Sequence, residues 1–452
     1  MRYQLRYVRV PPVFPATQET LAGRGGARQT GVPRRVVTSG NTGGPGRRLD
    51  RRMEFRQIDA AERPETMFPL QAYAFTPSPW SPSETESYRR RMRFFETSVS
   101  LIAEEGGETL AAVSSLRMRQ NVRGVVHDMA GVASVASHPS ARRRGLVRTL
   151  LTRLLRQMRD EGCAVSALYP FRPSFYAKFG FVGIPRRRTT TFAPEGLSEL
   201  LRRDLPGSVE RLPMIKGFDA YADLTRRLLA ERHGFAVFDE VRAAEYRDDP
   251  VWVAIARSGG EVLGALRYTI DNHGGTLSGS DLLTANPLGR ALLLQFLARH
   301  VDQVARVTLT VGTDDVPELW GTDLSAVTEG TVDYPRSNAP MVRVLHVPAL
   351  AGSRVGEGAG DRVGEGAVTV EVVDDDLIGG VWTLGSDDGR LTVTAGGSPS
   401  ATLTAAGFSA LVYGSLDPIE VVTRGLGDLK PDAVTPLTTL FPRRMPYLFA
   451  DF

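Results

Sequence analysis

Residues 132–158 contain the sequence feature that most constrains the fold of this chain. A short apolar run, VASVAS at 132–137, is followed by His138-Pro139-Ser140 and by an arginine-rich turn that ends at Gly145. Small and β-branched residues in the run predict a buried strand. After the turn, apolar residues recur at helical spacing: Leu146, Leu150, Leu151, Leu154, Leu155 and Met158. The stretch is therefore predicted to form a strand, a tight basic turn and a helix.

The turn between this strand and helix has the composition of an anion-binding site. Consecutive backbone N–H groups and the positive end of a helix dipole meet there. Gly145 permits close approach of the backbone to a ligand, and the arginines at 142–144 add positive charge. Only three of the 55 Lys+Arg residues are lysines, so a run of arginines alone would indicate a solvated turn. Its position between a strand and a helix favours a phosphate or pyrophosphate ligand.

Net charge is unevenly distributed along the chain. The 452 residues carry a formal charge of +4, but residues 1–52 contain eleven arginines against Glu19 and Asp50. That segment is +9, which leaves −5 for residues 53–452. The basic balance therefore belongs to one end of the chain. This distribution argues against a nucleic-acid-binding surface and suits cationic ligands.

Length and composition set further limits. A chain of 452 residues predicts about three domains. The content of 42% hydrophobic and 23% charged residues is that of a soluble globular protein, and no apolar run approaches the ~18 residues that span a bilayer. The single cysteine, Cys163, excludes an internal disulfide and fits a reducing, cytoplasmic compartment. Its apolar neighbours indicate a buried, inert thiol, and we predict no metal site.

The chain divides into an extension and a first folded unit. Residues 1–52 are rich in Gly, Pro, Thr and Arg without sustained periodicity, which predicts a disordered basic extension. Met53 is expected to be the natural first residue of the folded part. Residues 53–206 alternate helical and strand patterns around the 132–158 stretch, which predicts an α/β unit.

Two further units follow. Residues 207–348 repeat this order, with helices predicted at 221–232 and 290–300, a strand–hairpin–strand at 251–270 and strands at 280–284 and 304–311. Residues 349–452 begin with a duplicated RVGEGA segment, which predicts a flexible linker, and continue as an α+β unit of strands and two helices. Seven of the last eight residues are apolar, which indicates docking because termini are usually polar and solvated.

These motifs resemble those of a known family. R-R-x-G between a strand and a helix is the signature of the GCN5-related N-acetyltransferases (GNATs). The stretch VASVASHPSARRRGLVRTLL, the aromatic residues around Tyr176 and the ending Asp451-Phe452 resemble the Eis (enhanced intracellular survival) family more closely. The resemblance covers about 53–452. It implies tandem GNAT-like domains at 53–206 and 207–348, followed by a sterol-carrier-protein-like domain at 349–452.

The second GNAT-like domain is expected to be degenerate. The position of its basic turn is occupied by residues 286–290, which contain no cluster of basic residues. A pyrophosphate is therefore not expected there.

The resemblance implies acetyl-CoA as co-substrate, held by the first domain. Its pyrophosphate would lie on Arg143, Arg144, Gly145, Leu146, Val147 and Arg148, and its pantetheine arm would pair with Val135, Ala136 and Ser137 like an added strand. Phe171 and Arg172 occupy the positions after the next strand that contact acetyl-CoA in the family. Both differ in type from the Glu and small residues expected there.

Tyr176 aligns with the general acid of the family. A phenol titrates close enough to a thiol to protonate the thiolate that leaves as the C–S bond breaks. The alternative is a purely structural role, since Phe175, Tyr176, Phe179 and Phe181 together could pack a short helix.

The resemblance assigns the general base to the α-carboxylate of the last residue, Phe452, reaching from the third domain into the first. A free carboxylate is a weak base at neutral pH, and burial beside aromatic residues would strengthen it. Alternatively, the carboxylate only attracts a cationic amine while water takes the proton. His127 and His138 are further candidate bases, although His138 before Pro139 indicates a turn residue.

The resemblance implies transfer of the acetyl group to cationic, polyamine-like molecules such as aminoglycosides. It also implies a homo-oligomer, typically a hexamer. A protein lysine acetyltransferase would share the coenzyme chemistry and differ in its acceptor pocket. A third possibility is a non-catalytic lipid carrier acting through the C-terminal domain.

Overall fold

The computed structural model of the protein describes residues 52–76, 78–356 and 367–452. The predicted disordered extension, except for Arg52, and most of the second RVGEGA copy lie outside the described residues. No helix within the described ranges is long and apolar enough to cross a membrane.

The first part of the chain builds an α/β unit around the predicted strand–turn–helix. Its elements are β1 (Met53–Ile58), α1 (Arg63–Phe75), α2 (Pro82–Arg90), β2 (Val99–Glu105), β3 (Glu108–Val122), β4 (Val125–Ser137), α3 (Leu146–Asp160), β5 (Val165–Leu168), α4 (Pro173–Tyr176) and β6 (Val182–Gly183). The predicted strand at 132–137 is the end of β4. The six apolar residues predicted at helical spacing are all buried in α3, so the predicted strand and helix are both confirmed.

The middle part repeats this order with a second sheet. Its elements are β7 (Arg188–Phe192), β8 (Ser208–Pro213), α5 (Met214–Glu231), β9 (Ala236–Phe238), α6 (Glu240–Ala243), β10 (Trp252–Ser258), β11 (Glu261–Ile270), β12 (Gly275–Asp281), β13 (Leu283–Thr284), α7 (Pro287–Ala298), β14 (Val304–Val311), β15 (Ala326–Glu329) and β16 (Met341–Val344). The single strand predicted at 280–284 was wrong: β12 and β13 are separate. The polar, glycine-containing sequence of β12 hides its strand character.

Strands are exchanged between the two sheets. The first sheet has the order β1-β2-β3-β4-β5-β16-β6, so a strand from the end of the middle part lies between two strands of the first. Conversely, β7 precedes the boundary at 206–207 in the sequence but pairs with β14 and β15 in the second sheet. A further strand of the middle part, β9, pairs with β3. The sequence boundary at 206–207 therefore separates chain segments but not sheets.

The last part is an α+β unit packed against the first sheet. Its elements are β17 (Val368–Val373), β18 (Gly380–Asp387), β19 (Arg390–Ala395), β20 (Ala401–Thr404), α8 (Ala405–Tyr413), α9 (Pro418–Thr423), β21 (Gly427–Leu429) and α10 (Pro431–Leu440). Every residue of α8 is buried, and this helix packs against β16 and β20. One hydrophobic core thus runs from the first sheet into this unit.

A buried polar joint connects all three parts. Arg123, in the β3–β4 turn, donates hydrogen bonds to the carbonyl oxygens of Val412 (2.6 Å) and Pro442 (2.8 Å). His233, after α5, accepts the Arg123 backbone N–H at Nδ1 (3.0 Å), and its Nε2 lies 2.9 Å from the Tyr413 carbonyl oxygen. This pattern fixes a neutral imidazole protonated at Nε2, because Nδ1 must remain an acceptor.

Burial lowers the pKa of His233 to about 3, so this joint should be sensitive to acid. In the unfolded chain His233 takes up a proton below pH ~6.5, whereas in the folded chain it does so only near pH 3. Stability from this residue is therefore complete above pH ~6.5 and falls by about 1.4 kcal/mol per pH unit below it. Between pH 7.5 and 5 the wild type should lose about 2 kcal/mol more than His233→Asn.

Urea unfolding at the two pH values measures this difference. His273→Asn, at an exposed residue of the β11–β12 turn, should lose the same stability as the wild type. Equal losses in the wild type and His233→Asn would contradict the assignment.

Candidate functional site

The turn before α3 presents backbone amides outward. Arg143 and Gly145 both have left-handed backbone conformations, with φ of +66° and +82°, and Gly145 is the N-cap of the helix. The first N–H groups of a helix have no partner within it, so those of Leu146, Val147 and Arg148 point out from its N-terminus. Gly145 is exposed, and no atom lies within 4 Å of the position of a Cβ there. The space above the turn is therefore open to a ligand.

Arginine side chains surround these amides. Arg144 forms an ion pair with Glu105 (3.1 Å), which fixes one side of the turn. Arg142, Arg143 and Arg148 are exposed. The amides, the helix dipole and these guanidinium groups together suit a diphosphate.

A bulge in β4 opens the sheet beside this turn. The β3–β4 register shifts between the pairs Ala112–Ala136 and Ser114–Ala133, and Ser134 has φ of +57°. Pairing of β4 with β5 ends at Val132. Beyond that residue the two strands separate, and residues 132–135 line a cavity. Of the three residues predicted to pair with a pantetheine arm, Val135 faces this cavity, whereas Ala136 and Ser137 continue the β4 ladder against β3.

The cavity has a volume of about 560 Å³ and is built from all three parts of the chain. Tyr176 and Phe171 come from the first part, β7 and β14 from the second sheet, and Phe452 from the end of the chain. The strand residues that line it are Arg188, Thr189 and Thr191 of β7 and Thr308 and Thr310 of β14. The other lining residues lie in helix ends, loops and strand ends: Phe75, Thr76, Tyr169, Arg186, Arg187, Glu329, Thr331, Arg336, Ser337, Asn338, Pro340, Leu448 and Asp451. The structure thus brings together Tyr176 and Phe452, which are separated by 276 positions in the numbering.

Aromatic rings hold Tyr176 in place. The residue is 2% exposed, and its ring lies edge-on to Phe171 (5.5 Å between centroids), Phe175 (5.1 Å) and Phe181 (6.3 Å). It belongs to α4, a single helical turn that begins at Pro173. Tyr176 therefore packs against aromatic residues, as the structural alternative predicted, and it also lines the cavity.

Phe171 and Arg172 occupy different environments. Phe171 lines the cavity and is 43% exposed. Arg172 is the exposed N-cap of α4 and does not line the cavity.

The predicted docking of the C-terminal residues is confirmed. Residues 447–450 are buried. The hydroxyl groups of Tyr447 and Tyr169 donate hydrogen bonds to Asp281 and to the Ala450 carbonyl oxygen (3.2 Å). The Phe452 ring packs edge-on against Tyr169, with 5.5 Å between the centroids. These contacts bring the end of the chain to the opening between β4 and β5.

A buried arginine completes this anchor. Arg187 donates to Asp281 (2.8 Å) and to the Phe449 carbonyl oxygen (2.9 Å), and it forms an ion pair with Asp451 (3.3 Å). Burial opposes its charge, but the two carboxylates raise the pKa of Arg187 above its ordinary value. Sequence reasoning missed this residue, because the run at 186–188 looks like many other arginine runs in this chain.

Threonines of the second sheet form part of the cavity wall. Alternate residues of a strand face the same side, and Thr189 and Thr191 of β7 pair with Thr310 and Thr308 of β14. Their hydroxyl groups offer both donors and acceptors to a polar ligand. The TTT run at 189–191 was a detectable signal for this wall.

The other candidate groups lie outside the cavity. His138 caps its own turn by accepting the Ser140 N–H, and His127 is buried in β4 opposite Gln120. Burial raises the pKa of the Cys163 thiol to about 11. In the second unit, Asn286 accepts the Gly289 N–H (2.9 Å) and caps α7 without basic neighbours at 286–289. Within the described ranges, no group of three His, Cys, Asp or Glu residues is placed to hold a metal.

Comparison with known proteins relates this architecture to one enzyme family. Models of the acetyltransferase (GNAT) domain match residues 54–183 and, separately, 231–344. The N-acetyltransferase Eis of Mycobacterium tuberculosis is 27% identical over 326 residues, which are 65% of this chain and 72% of that protein. An uncharacterized N-acetyltransferase of Streptomyces coelicolor is 28% identical over 286 residues, which are 57% of this chain and 66% of that protein. The chain thus spans about two thirds of the length of these curated relatives.

Solved structures share the fold. A GCN5-related N-acetyltransferase from Kribbella flavida has a TM-score of 0.74 at 21% identity, covering 90% of this chain and all of that one. Eis1 from Mycobacterium abscessus has a TM-score of 0.69 at 21% identity, covering 88% of this chain and all of that one. The tandem arrangement of two α/β units and a third unit is therefore common to these proteins.

Proposed function

Because this chain belongs to the GCN5-related N-acetyltransferases and is similar to the Eis enzymes, we propose that it transfers the acetyl group of acetyl-CoA to an amine bound in the 560 Å³ cavity. One observation carries the proposal: Tyr176 and the terminal residue Phe452 line the same cavity as the β4 bulge.

The residues around the bulge and the turn fit acetyl-CoA. Arg143, Gly145 and the amides of Leu146, Val147 and Arg148 would hold the diphosphate. The bulge at Ser134 leaves backbone groups of 132–135 facing the cavity, where a pantetheine arm could pair. When bound, the co-substrate supplies an acetyl thioester.

The carboxylate of Phe452 acts as the base in this proposal. It takes a proton from the amine as the C–N bond forms, while the Phe452 ring is held in place by the rings of Tyr169 and Phe238. Neither His127 nor His138 lines the cavity, so the terminal carboxylate is better placed than either histidine.

Tyr176 acts as the acid. As the C–S bond breaks, its hydroxyl gives a proton to the leaving thiolate, so that the products are an amide and a free thiol. The surrounding aromatic rings fix the orientation of the phenol, which reduces the cost of aligning it.

The finer properties stay predictions. The net charge of −5 on residues 53–452 and the resemblance favour cationic acceptors such as aminoglycosides, whereas local charge in the cavity decides which amines bind. The sterol-carrier-like nature of the last unit, a hexameric assembly and a cytoplasmic location rest on the resemblance and on composition. Anchoring of Phe452 in the cavity favours a catalytic role for the last unit over lipid carriage.

Replacing Tyr176 tests the acid. Tyr176→Phe keeps the ring packing and removes the proton donor, so we expect kcat to fall by about 100-fold with little change in acetyl-CoA affinity. Steady-state assays of thiol release measure kcat, and calorimetry measures the affinity for acetyl-CoA. Phe175→Leu, which changes packing next to Tyr176 but retains the phenol, serves as the control for loss of packing. An unchanged kcat in Tyr176→Phe would exclude the acid role.

Extending the chain tests the base. One glycine appended after Phe452 moves the carboxylate by about 3.8 Å and leaves the phenyl ring in the sequence, so we expect kcat to fall by ~100-fold. Phe452→Leu keeps a terminal carboxylate at the same position and should lose less than about tenfold. Circular dichroism checks that both variants fold. Full turnover by the extended chain would refute the base assignment.

Gly145 tests the diphosphate site against a matched glycine. Gly107 has nearly the same conformation (φ +83°, against +82°), and a Cβ at either residue meets no atom within 4 Å. Replacement by Ala should therefore cost each protein a similar ~1 kcal/mol of stability. Only Gly145→Ala should weaken CoA binding, by about tenfold or more, because the ligand approaches that backbone. Equal CoA affinity of the two variants in calorimetry would contradict the site.

A further inference from the structure

The cavity wall contributed by the second sheet is rich in arginine. Arg186, Arg187 and Arg188 line it at the start of β7, and Arg336 lines it from the loop between β15 and β16. The acidic groups of the lining are Glu329, Asp451 and the terminal carboxylate of Phe452. The charge of the cavity is thus not that of the body as a whole, which is −5.

Two of these charged residues, Arg187 and Asp451, form an ion pair with each other. Arg187 is paired with Asp281 (2.8 Å) and Asp451 (3.3 Å), so its charge and that of Asp451 are compensated without a ligand. The charges left for a ligand include that of Arg336 on one side, and those of Glu329 and the Phe452 carboxylate on the other.

Arg188 and Arg336 have no acidic partner in the described parts of the chain. The Arg188 guanidinium donates to the carbonyl oxygens of Gly312 and Thr313 (both 3.2 Å) and of Asp315, which are neutral acceptors. Arg336 is exposed, and no carboxylate within the described ranges lies within 4 Å of either guanidinium. The Arg188 guanidinium is thus turned toward residues 312–315, whereas Arg336 brings to the cavity wall a positive charge that no carboxylate of the described residues pairs.

We propose, on the basis of the proposed acetyl transfer at this cavity, that the acceptor is an amine that also carries an oxyanion, a carboxylate or a phosphate. Its amino group is oriented toward the Phe452 carboxylate, and its oxyanion is bound on the part of the wall that carries Arg336. A planar guanidinium matches either oxyanion with two parallel hydrogen bonds. The threonines of β7 and β14 can bind the polar groups between the two ends.

An acceptor with several positive charges should bind less tightly than an amine that carries an oxyanion. A second ammonium group near Arg336 would meet like charge, and such a contact reduces affinity even where the first amine is well placed. Charges on the outer surface of the body do not offset this, since salt screens them beyond about 8–10 Å.

Amines of matched length test the proposal. The purified full-length protein is assayed for thiol release from acetyl-CoA with three amines that differ only at the far end: 6-aminohexanoate, 1,6-diaminohexane and hexylamine. The same assay is run with 6-aminohexyl phosphate and with the aminoglycoside kanamycin. We expect kcat/KM for at least one of the two oxyanion-bearing amines to exceed that for the diamine and for kanamycin by about tenfold or more. Comparison of the carboxylate with the phosphate identifies the oxyanion.

A variant of Arg336 shows whether the wall is responsible. Arg336→Gln should raise KM for the preferred oxyanion-bearing amine by about tenfold and leave KM for hexylamine within twofold. Arg226→Gln, at an exposed arginine of α5 outside the cavity, should change neither value.

The outcomes separate this inference from the function on which it rests. If the diamine or kanamycin is the better substrate, or if Arg336→Gln changes KM for all amines equally, acetyl transfer holds and the oxyanion inference is overturned. If none of the five amines is acetylated although acetyl-CoA binds, both the proposed function and this inference fail.

Discussion

The buried contact of Arg187 with Asp281 and Asp451 is the interaction on which the site depends. It joins the first residues of the second sheet to strand β12 and to the last residues of the chain. A buried guanidinium needs carboxylate partners, and removal of one partner would leave an uncompensated charge. Its hydrogen bond to the Phe449 carbonyl oxygen then sets the path of the final three residues. The position of Phe452 at the cavity that the β4 bulge opens follows from this geometry.

The exchange of strands explains how one cavity draws on distant parts of the sequence. With β16 in the first sheet and β7 in the second, the two α/β units cannot move apart without breaking sheet pairing. Arg123 and His233 then connect both units to α8 and the last unit. A rigid framework of this kind is what precise placement of Tyr176 and Phe452, from different units, in one cavity requires.

Local patterns in the sequence predicted the elements of the site but not its walls. Leucine spacing predicted α3, and the glycine at its start predicted the open turn, because both signals lie within a few residues. The exchange of β7 and β16 was not predicted, since pairing between strands more than 100 residues apart leaves no local pattern. Arg187 was missed for a related reason: its role depends on which carboxylates the fold places nearby.

The central claim is that the turn before α3 holds a diphosphate while the end of the chain supplies a carboxylate to the same ligand's reactive end. A crystal structure of the protein with CoA and an amine acceptor tests it directly. We expect the diphosphate on the amides of Leu146, Val147 and Arg148, with the thiol in the cavity between Tyr176 and the Phe452 carboxylate. A CoA molecule bound elsewhere, or a thiol that lies away from both groups, would contradict it.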